Sequence, residues 1–407
     1  MQGGPCGREI ELYQNVSRPQ DATFAFNSPS PGHNGGDTSG RQFSIAINKD
    51  RNHAMSNEIN HQRRRFFGIA AMTVAAVEFG ITSLASARPA GGASPQPVAG
   101  GAGRHMSFKT LKQVKAGVLN IGYAEAGGPK DGPAVLLVHG WPYDIYSYVD
   151  VAPLLASAGY RVIVPYLRGY GTTHFLSSET PRNGQQSSLA VDMIALMDAL
   201  EIDKAIVAGY DWGGARTVNI MAALWPERCQ AMVSVSGYLI GSQEANMKPL
   251  PPKAELSWWY QFYFATERGR LGYQANTREF ARLIWQTASP TWKFDDATFE
   301  RSAAAFDNPD HVAITIHNYR WRLGLADGEK KFDPYEQKLA NAPLISVPTI
   351  TMEGGDANGA PHPDPAAYAR KFTGKYEHRT IGGGIGHNLP QEAPQAFAQA
   401  ILDVAKF

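Results

Sequence analysis

The chain has 407 residues, of which 43% are hydrophobic and 11% aromatic, and its formal net charge at pH 7 is +1. This length and composition suit one large globular domain, or a core domain with a sizeable insert. The near-neutral charge gives no electrostatic basis for binding nucleic acid or an anionic membrane surface. Two cysteines cannot form a disulfide framework, and no Cys/His cluster predicts a metal site; no cofactor is expected.

Residues 1–60 differ in kind from the rest of the chain. They are rich in Gly, Ser, Asn, Gln and Pro and show no apolar periodicity, so the sequence predicts a disordered extension. Met55 stands where a signal peptide normally begins, which leaves open that residues 1–54 are an over-extended start.

Residues 61–87 contain the three parts of an export signal. A basic stretch, Arg63-Arg64-Arg65, precedes a moderately apolar run and the small-residue site Ala85-Ser86-Ala87. Paired arginines followed by Phe-Phe-Gly resemble a bacterial twin-arginine signal. The alternative, an uncleaved membrane anchor, is disfavoured by Glu78 within the apolar run. We therefore expect cleavage near Ala87, a flexible leader over residues 88–105, and a periplasmic or secreted mature protein without stable membrane insertion.

Residues 106–239 and 336–407 alternate short apolar runs with helix-like stretches. The runs, each followed by a loop, are "AVLLVHG", "RVIVPYL", "AIVAGYD", "CQAMVSVSG", "VPTITMEGG" and "YEHRTIGGG". Strands buried on both faces of a parallel sheet have this pattern. The sequence predicts an α/β core in two parts, with a mostly parallel, eight-stranded sheet and helices on both faces.

Residues 240–335 break this rhythm. They contain no parallel-strand signal, but they are rich in tryptophan and tyrosine and include stretches such as "KAELSWWYQFYFATERGR" (253–270) with helical character. This pattern predicts a helical cap inserted after the sixth strand. Such a cap, or lid, covers the carboxyl ends of the strands, where α/β sheets bind ligands.

The stretch "AIVAGYDWGGARTV" reads as a buried strand that turns sharply into a helix. It fits the pattern G-x-nucleophile-x-G, with Gly209 and Gly213 as the glycines and Asp211 where serine is usual. A carboxylate at this position attacks an sp³ carbon and becomes an ester whose carbonyl belongs to the enzyme. Considered alone, Asp211 is equally interpretable as a helix N-cap.

Two further loop residues, Asp356 and His387, follow later strands. The order nucleophile, acid, histidine is that of the α/β-hydrolase fold, and it predicts a catalytic triad. Taken singly, Asp356 is interpretable as a turn residue and His387 as a surface histidine. Glu353 and Asp364 are the alternatives for the acid.

The segment "HGWP" ends an earlier predicted strand. There the backbone N–H of Trp141 can pair with that of Trp212 to form an oxyanion hole. His139, in the same segment, is expected to be structural rather than catalytic.

The motifs HGWP, RGYG, GYDWGG and GIGHNLPQEAP together resemble the α/β-hydrolase epoxide hydrolases, from Met106 to the C-terminus. The resemblance implies that Asp211 is the nucleophile and that His387, oriented by Asp356, activates water. It also implies two cap tyrosines that protonate the opening ring, Tyr260 in "WWYQFYF" and Tyr319 in "HNYRW". Trp141, Trp212 and the two tyrosines would then contact the substrate, a small apolar epoxide.

Each cap tyrosine has an alternative role in packing, for which Tyr263 and Tyr273 are better candidates. A haloalkane dehalogenase would use the same Asp211, with the indole N–H of Trp212 cradling halide, but such enzymes usually have Asn where this chain has Trp141. A fluoroacetate-type dehalogenase would carry Arg at position 212. A serine esterase is disfavoured because no serine occupies the position of Asp211. A non-catalytic binding protein on the same scaffold and a homodimer are further options that the sequence leaves open.

Overall fold

The structure is a computed structural model that describes residue 108 and residues 110–407, apart from 356 and 361. The predicted extension (1–60), export signal (61–87) and leader (88–105) lie outside the described residues, and so does Asp356. Within the described part, no helix is both long and apolar enough to cross a membrane.

One sheet organises the described part of the chain, with strand order β1-β2-β4-β3-β6-β7-β8-β9 and a short β5 paired to β2. The strands are β1 Leu111–Ala116, β2 Leu119–Gly127, β3 Ala134–Val138, β4 Arg161–Pro165, β5 His174–Phe175, β6 Ala205–Gly209, β7 Cys229–Val235, β8 Thr349–Gly354 and β9 Tyr376–Ile381. All neighbours from β4 to β9 pair in parallel, whereas β1, β2 and β5 pair antiparallel. The predicted mostly parallel sheet is confirmed; β5 was not predicted.

The central strands are almost entirely apolar because both faces of the sheet are covered; the exception, Arg161 of β4, pairs with Glu125 at 2.7 Å. Every residue of β3, β4 and β6 is buried. The helices of the core are Val151–Ser157, Gln186–Ala199, Asp211–Leu224, Asp333–Ala340, Pro365–Tyr368, Leu389–Glu392 and Pro394–Val404. The short 3₁₀ helices of the described chain are Ile145–Tyr148, Pro226–Arg228, Ala304–Asp307, Lys330–Phe332 and Ala369–Lys371.

The order of the strands places a topological switch point between β3 and β6. From β3 the chain crosses to β4 on one side, and from β6 it crosses to β7 on the other. Because parallel crossovers are right-handed, their helices lie on opposite faces and leave a crevice at the carboxyl ends of β3 and β6. The HGWP segment follows β3 and Asp211 follows β6, so both arrive at this crevice.

Helices also fill the segment between β7 and β8. These cap helices are Gln243–Asn246, Pro252–Ser257, Trp259–Ala265, Glu267–Ala275, Thr277–Ala288, Asp296–Ala303 and His311–Arg322. The helical stretch predicted for residues 253–270 is divided into three. The hydroxyl of Thr266 accepts a hydrogen bond from the N–H of Gly269 and caps a new helix there. The predicted boundary at residues 335 and 336 falls inside the helix Asp333–Ala340.

Candidate active site

Asp211 occupies a strained turn between β6 and the helix Asp211–Leu224. Its φ is +61°, in the left-handed region that non-glycine residues rarely adopt. Close approach of the backbones requires glycine on both sides. A Cβ on Gly209 would lie 2.5 Å from the carbonyl carbon of Gly214, and one on Gly214 would overlap the carbonyl oxygen of Val138. On the helix side of Asp211 the closest backbone contact is therefore at Gly214, one residue beyond Gly213, the second glycine of the motif.

The two carboxylate oxygens of Asp211 have different partners. Oδ1 accepts a hydrogen bond from the backbone N–H of Trp141 at 2.9 Å and a longer one from Gly213 at 3.5 Å. Oδ2 lies 3.2 Å from Nε2 of His387, which donates because a carboxylate only accepts. The backbone N–H of Trp212 makes no such hydrogen bond among the described residues, so its part in an oxyanion hole stays a prediction.

His387 is 6% exposed and its backbone is held by a polar network. Its N–H donates to Oγ of Ser289, at the end of a cap helix, over 2.9 Å. The Ser289 hydroxyl donates to Oε1 of Glu392 at 2.6 Å, and Oε2 of Glu392 accepts from the N–H of Gly386 at 2.8 Å. This network connects the histidine loop to the cap and fixes where the imidazole enters the site.

Asp356, the predicted acid partner of His387, is not among the described residues. Nδ1 of His387 is buried and has no hydrogen-bond partner within the described part of the chain. Glu353, one alternative, accepts from the side-chain amide of Asn358 at 2.8 Å, and burial raises its pKa to about 8. Asp364, the other, is exposed and caps the helix Pro365–Tyr368 by accepting from the N–H of Ala366 at 2.8 Å.

Tyr319 reaches the site from the cap and contacts the residue after the nucleophile. Its hydroxyl oxygen accepts a hydrogen bond of 2.9 Å from the indole N–H of Trp212. Tyr260 lies beside it, with ring centroids 5.6 Å apart and the rings perpendicular. Burial raises the pKa of both hydroxyls above the ordinary value, against a smaller opposing effect of Arg322. Both tyrosines therefore remain protonated at neutral pH.

Trp141, like Trp212, donates its indole N–H to a tyrosine of the cap. Its indole N–H donates to the hydroxyl of Tyr273 at 3.0 Å. The Tyr273 hydroxyl in turn lies 2.8 Å from Nε2 of His311, whose Nδ1 is 3.0 Å from the carbonyl oxygen of Gly169. Since a carbonyl only accepts, His311 donates through Nδ1 and Tyr273 donates to Nε2. The Tyr273 proton is thus already used, in keeping with a packing role.

His139 supports the HGWP segment. Its Nε2 accepts from the N–H of Leu167 at 3.2 Å and its Nδ1 donates to the carbonyl of Gly140 at 2.9 Å. Burial lowers its pKa to about 4, so it stays neutral. It makes no contact that would serve catalysis.

A cavity of about 80 Å³ lies beside Asp211 and His387. It is lined by Trp141, Asp211, Trp212, Arg216, Ser236, Leu239, Trp258, Tyr260, Ile284, Ala288, Tyr319, Arg322, Ala360 and His387. The volume is well below the roughly 300–1,000 Å³ of typical ligand pockets. No group of three or more metal-binding side chains occurs in the part of the chain that the structure describes.

Comparison with known proteins agrees with the fold described above. Residues 133–384, well over half of the chain, match the family described by the α/β-hydrolase fold. The chain belongs to the α/β-hydrolase family. A crystal structure of a candidate epoxide hydrolase from Klebsiella pneumoniae subsp. pneumoniae MGH 78578 is 64% identical to this α/β hydrolase, with a TM-score of 0.72, and the similarity covers 74% of this chain and 98% of that one.

Two curated relatives of this α/β hydrolase are similar over shorter stretches. Bifunctional epoxide hydrolase 2 of Sus scrofa is 36% identical over 155 residues, which are 37% of this chain and 26% of the relative. Epoxide hydrolase B of Mycobacterium tuberculosis (strain ATCC 25618 / H37Rv) is 35% identical over 161 residues, 36% of this chain and 44% of the relative. The match thus spans less than half of either relative. The likeness identifies this α/β hydrolase as epoxide hydrolase-like.

Four residues of the site in this α/β hydrolase escaped the sequence analysis. Ser289 and Glu392 hold the histidine loop, and Arg216 and Arg322 line the cavity. Glu392 lies within the motif GIGHNLPQEAP, but no short motif marks Ser289 or Arg322. Arg216 lies five positions after the nucleophile on the same helix, and this proximity is the one signal that could have indicated it.

Proposed function

We propose that this protein hydrolyses an epoxide to a vicinal diol through a covalent ester on Asp211. The observation that carries the proposal is the Trp212–Tyr319 hydrogen bond. The Tyr319 oxygen accepts from the indole, and its hydroxyl is hydrogen-bonded to that of Tyr260, so one proton of the tyrosine pair is left for an acceptor in the cavity that Asp211 lines. A proton donor opposite a carboxylate nucleophile is what the opening of an epoxide requires.

In the first step, Asp211 Oδ2 attacks a ring carbon and forms a C–O ester bond. The ring C–O bond breaks, and its oxygen takes a proton from Tyr260 or Tyr319, which becomes a tyrosinate. Oδ1 is the oxygen already held by the Trp141 N–H, so Oδ1 becomes the ester carbonyl oxygen. The different hydrogen-bond partners of the two carboxylate oxygens support these different roles.

In the second step, a water molecule attacks the ester carbonyl carbon and gives one proton to His387. Negative charge collects on Oδ1, where the Trp141 N–H stabilises it. Collapse of this intermediate breaks the bond to the substrate. Two protons then have to be returned: the second proton of water, now on the new carboxyl group, and the proton on His387. They go to the diol alkoxide and the tyrosinate. This sequence restores Asp211, with one oxygen from water.

For His387 to act as a base, its Nε2 must be free of a proton. In the resting arrangement Nε2 donates to Asp211, so the proton has to reside on Nδ1 once the ester has formed. We propose that Asp356 accepts that Nδ1–H. Glu353 is the weaker candidate, because a pKa of about 8 keeps it mostly neutral at pH 7 and unable to stabilise an imidazolium.

The dehalogenase alternative needs weakly polar N–H groups that are free to bind halide. In the described structure, both indole N–H groups beside Asp211 are occupied: Trp212 donates to Tyr319 and Trp141 donates to Tyr273. This disfavours halide as the leaving group. A panel of small epoxides and haloalkanes, scored for diol against halide, tests the proposal. Faster halide release than diol formation would contradict it, and the absence of both products would favour a non-catalytic binding protein.

We also propose that residues 61–87 direct export by the twin-arginine route. The support is the arrangement of Arg63-Arg64-Arg65, the apolar run and the small-residue site in the sequence. This route accepts folded proteins, which suits a large single-core enzyme.

A further inference from the structure

Two buried arginines lie in the active-site cavity without a carboxylate partner. Arg216 and Arg322 are each 8% exposed, and both line the same cavity as Asp211. In the described part of the chain, no carboxylate oxygen lies within 4.0 Å of either guanidinium. Buried charges are normally paired, so two such groups in one small cavity call for an explanation.

The hydrogen bonds of these arginines leave most of their donors unused. Arg216 donates from Nε to the carbonyl oxygen of Leu239 at 2.9 Å and makes no other hydrogen bond to a described residue. The guanidinium carbon of Arg322 lies 5.4 Å from the ring centre of Tyr319 and 5.8 Å from that of Trp258. Its Nε is buried and has no hydrogen-bond partner among the described residues. Each guanidinium has five N–H donors, so the pair can still bind an acceptor-rich group.

Among the described residues that line the cavity, the charges do not balance. Two positive charges, on Arg216 and Arg322, face one negative charge, on Asp211, whose oxygens are already bound by the Trp141 N–H and His387. Burial first, and the charge of Arg322 second, lower the pKa of Arg216 to about 9, which still leaves it protonated at neutral pH. The cavity therefore has a surplus positive charge near the nucleophile.

We infer that Arg216 and Arg322 bind an anionic group of the substrate, and that the substrate class is a small 2,3-epoxy carboxylate. This inference rests on the proposed epoxide hydrolysis. Arginine binds carboxylate through paired N–H donors, and two arginines offset the repulsion between an anionic substrate and the Asp211 carboxylate. In a cavity of about 80 Å³ the most compact anionic epoxide fits best, and in that molecule the carboxylate is bonded directly to a ring carbon.

A matched substrate pair tests the charge preference directly. Glycidate and glycidamide have nearly the same shape and differ in the negative charge. The wild type should hydrolyse glycidate with a kcat/KM at least about tenfold higher. Arg216→Gln and Arg322→Gln should each reduce that preference by about tenfold or more, chiefly by raising the KM for glycidate, whereas Arg216→Lys should retain part of it.

Arg320 is the matched control. It lies on the same helix as Arg322, but its guanidinium donates to the carbonyls of Phe264 and Thr266 and does not line the cavity. Arg320→Gln removes the same charge and should leave the preference unchanged. If Arg322→Gln slowed glycidate and glycidamide equally, its role would be to support the tyrosine acids, and anion binding by Arg322 would be contradicted.

A binding measurement separates this inference from the proposed reaction. Glycerate, the diol product of glycidate, and its neutral amide can be titrated while the fluorescence of the tryptophans that line the cavity is followed. Arginine-dependent binding of glycerate without hydrolysis of either epoxide would support the anion site and overturn the proposed function. Hydrolysis of both epoxides with equal kcat/KM, and no preference for glycerate over its amide, would overturn the anion site and leave the proposed function intact.

Discussion

The indole N–H of Trp212 donates a hydrogen bond of 2.9 Å to the hydroxyl oxygen of Tyr319. This bond joins the residue after the nucleophile to the last cap helix, His311–Arg322. The indole has a single N–H and donates it here, and the Tyr319 hydroxyl is in turn hydrogen-bonded to that of Tyr260. The cap thus brings two linked hydroxyls to the cavity, and the core residue beside Asp211 orients one of them.

Replacing the cap tyrosines should slow ring opening and spare ester hydrolysis. We expect Tyr319→Phe and Tyr260→Phe each to slow alkylation by about 10–100-fold, and the double variant to lose roughly 10²–10⁴-fold, because an unprotonated alkoxide is a poor leaving group. Single-turnover kinetics separate the two steps. Tyr263→Phe is the control, since Tyr263 stacks on Phe280 and does not line the cavity. Normal alkylation by the double variant would contradict the role of these tyrosines.

Replacing His387 should trap the covalent intermediate. His387→Gln removes the base that activates water but leaves Asp211 able to attack, so the intact mass should rise by one substrate, located on the peptide that contains Asp211. His378→Gln, a histidine of β9 that does not line the cavity, should turn over without accumulating an adduct. An unmodified mass for the His387 variant after incubation with a turned-over epoxide would exclude covalent catalysis by Asp211.

Asp356 is predicted to orient His387. Asp356→Asn should reduce turnover by roughly 10⁴-fold, as neutralising a triad acid does elsewhere, with the loss in the hydrolysis of the ester. Glu353→Gln should remain close to the wild type in the same assay. The opposite pattern, an inactive Glu353 variant and a normal Asp356 variant, would assign the acid to Glu353.

Glu353 should make stability depend on pH. Its pKa is raised to about 8 by burial in the folded protein, against about 4.3 in an unfolded chain. Between about pH 4.3 and pH 8 the folded state holds a proton on Glu353 that the unfolded state has lost. The stability that the protonated Glu353 contributes is therefore complete below about pH 4 and is lost as the pH rises towards 8. Glu353→Gln stays neutral and should be more stable than the wild type above pH 8, by a few kcal/mol at most. Thermal unfolding at pH 5 and pH 9 measures this; a wild type and variant with parallel pH profiles would refute the buried, protonated carboxyl.

Export should depend on the arginine pair. With Arg64→Lys and Arg65→Lys together, we expect a full-length precursor to accumulate in the cytoplasm, whereas the unaltered chain yields a periplasmic protein that begins near Arg88. Cell fractionation and N-terminal sequencing measure both. A periplasmic protein that begins at Met55, or a membrane-bound form that resists salt and alkali, would show that no cleavage occurs near Ala87.

Local patterns in the sequence were sufficient for much of the fold. The strands β3, β4, β6 and β7 coincide with apolar runs because a strand covered on both faces is apolar at nearly every position. The nucleophile turn was recognisable for a similar reason, since its glycines are required within a few residues of Asp211. The cap was harder to divide, because the helix start at Thr266 depends on one side-chain hydrogen bond inside an otherwise helical stretch.

The sequence by itself therefore determined the fold class and the sharp turn that carries Asp211, because each is written in a short pattern of residues; Asp211 as nucleophile and His387 as base stay predictions. Only the tertiary structure decided that Ser289 and Glu392 hold the histidine loop, that both indoles are occupied by tyrosines, and that Arg216 and Arg322 share a cavity. The hydrogen bonds among these residues join positions 103, 107 and 132 apart in the chain. Their energies come from burial and hydrogen bonding across the core–cap boundary. Neither periodicity nor spacing along the chain records which charged side chain is withdrawn from water, because that depends on what the rest of the fold packs around it.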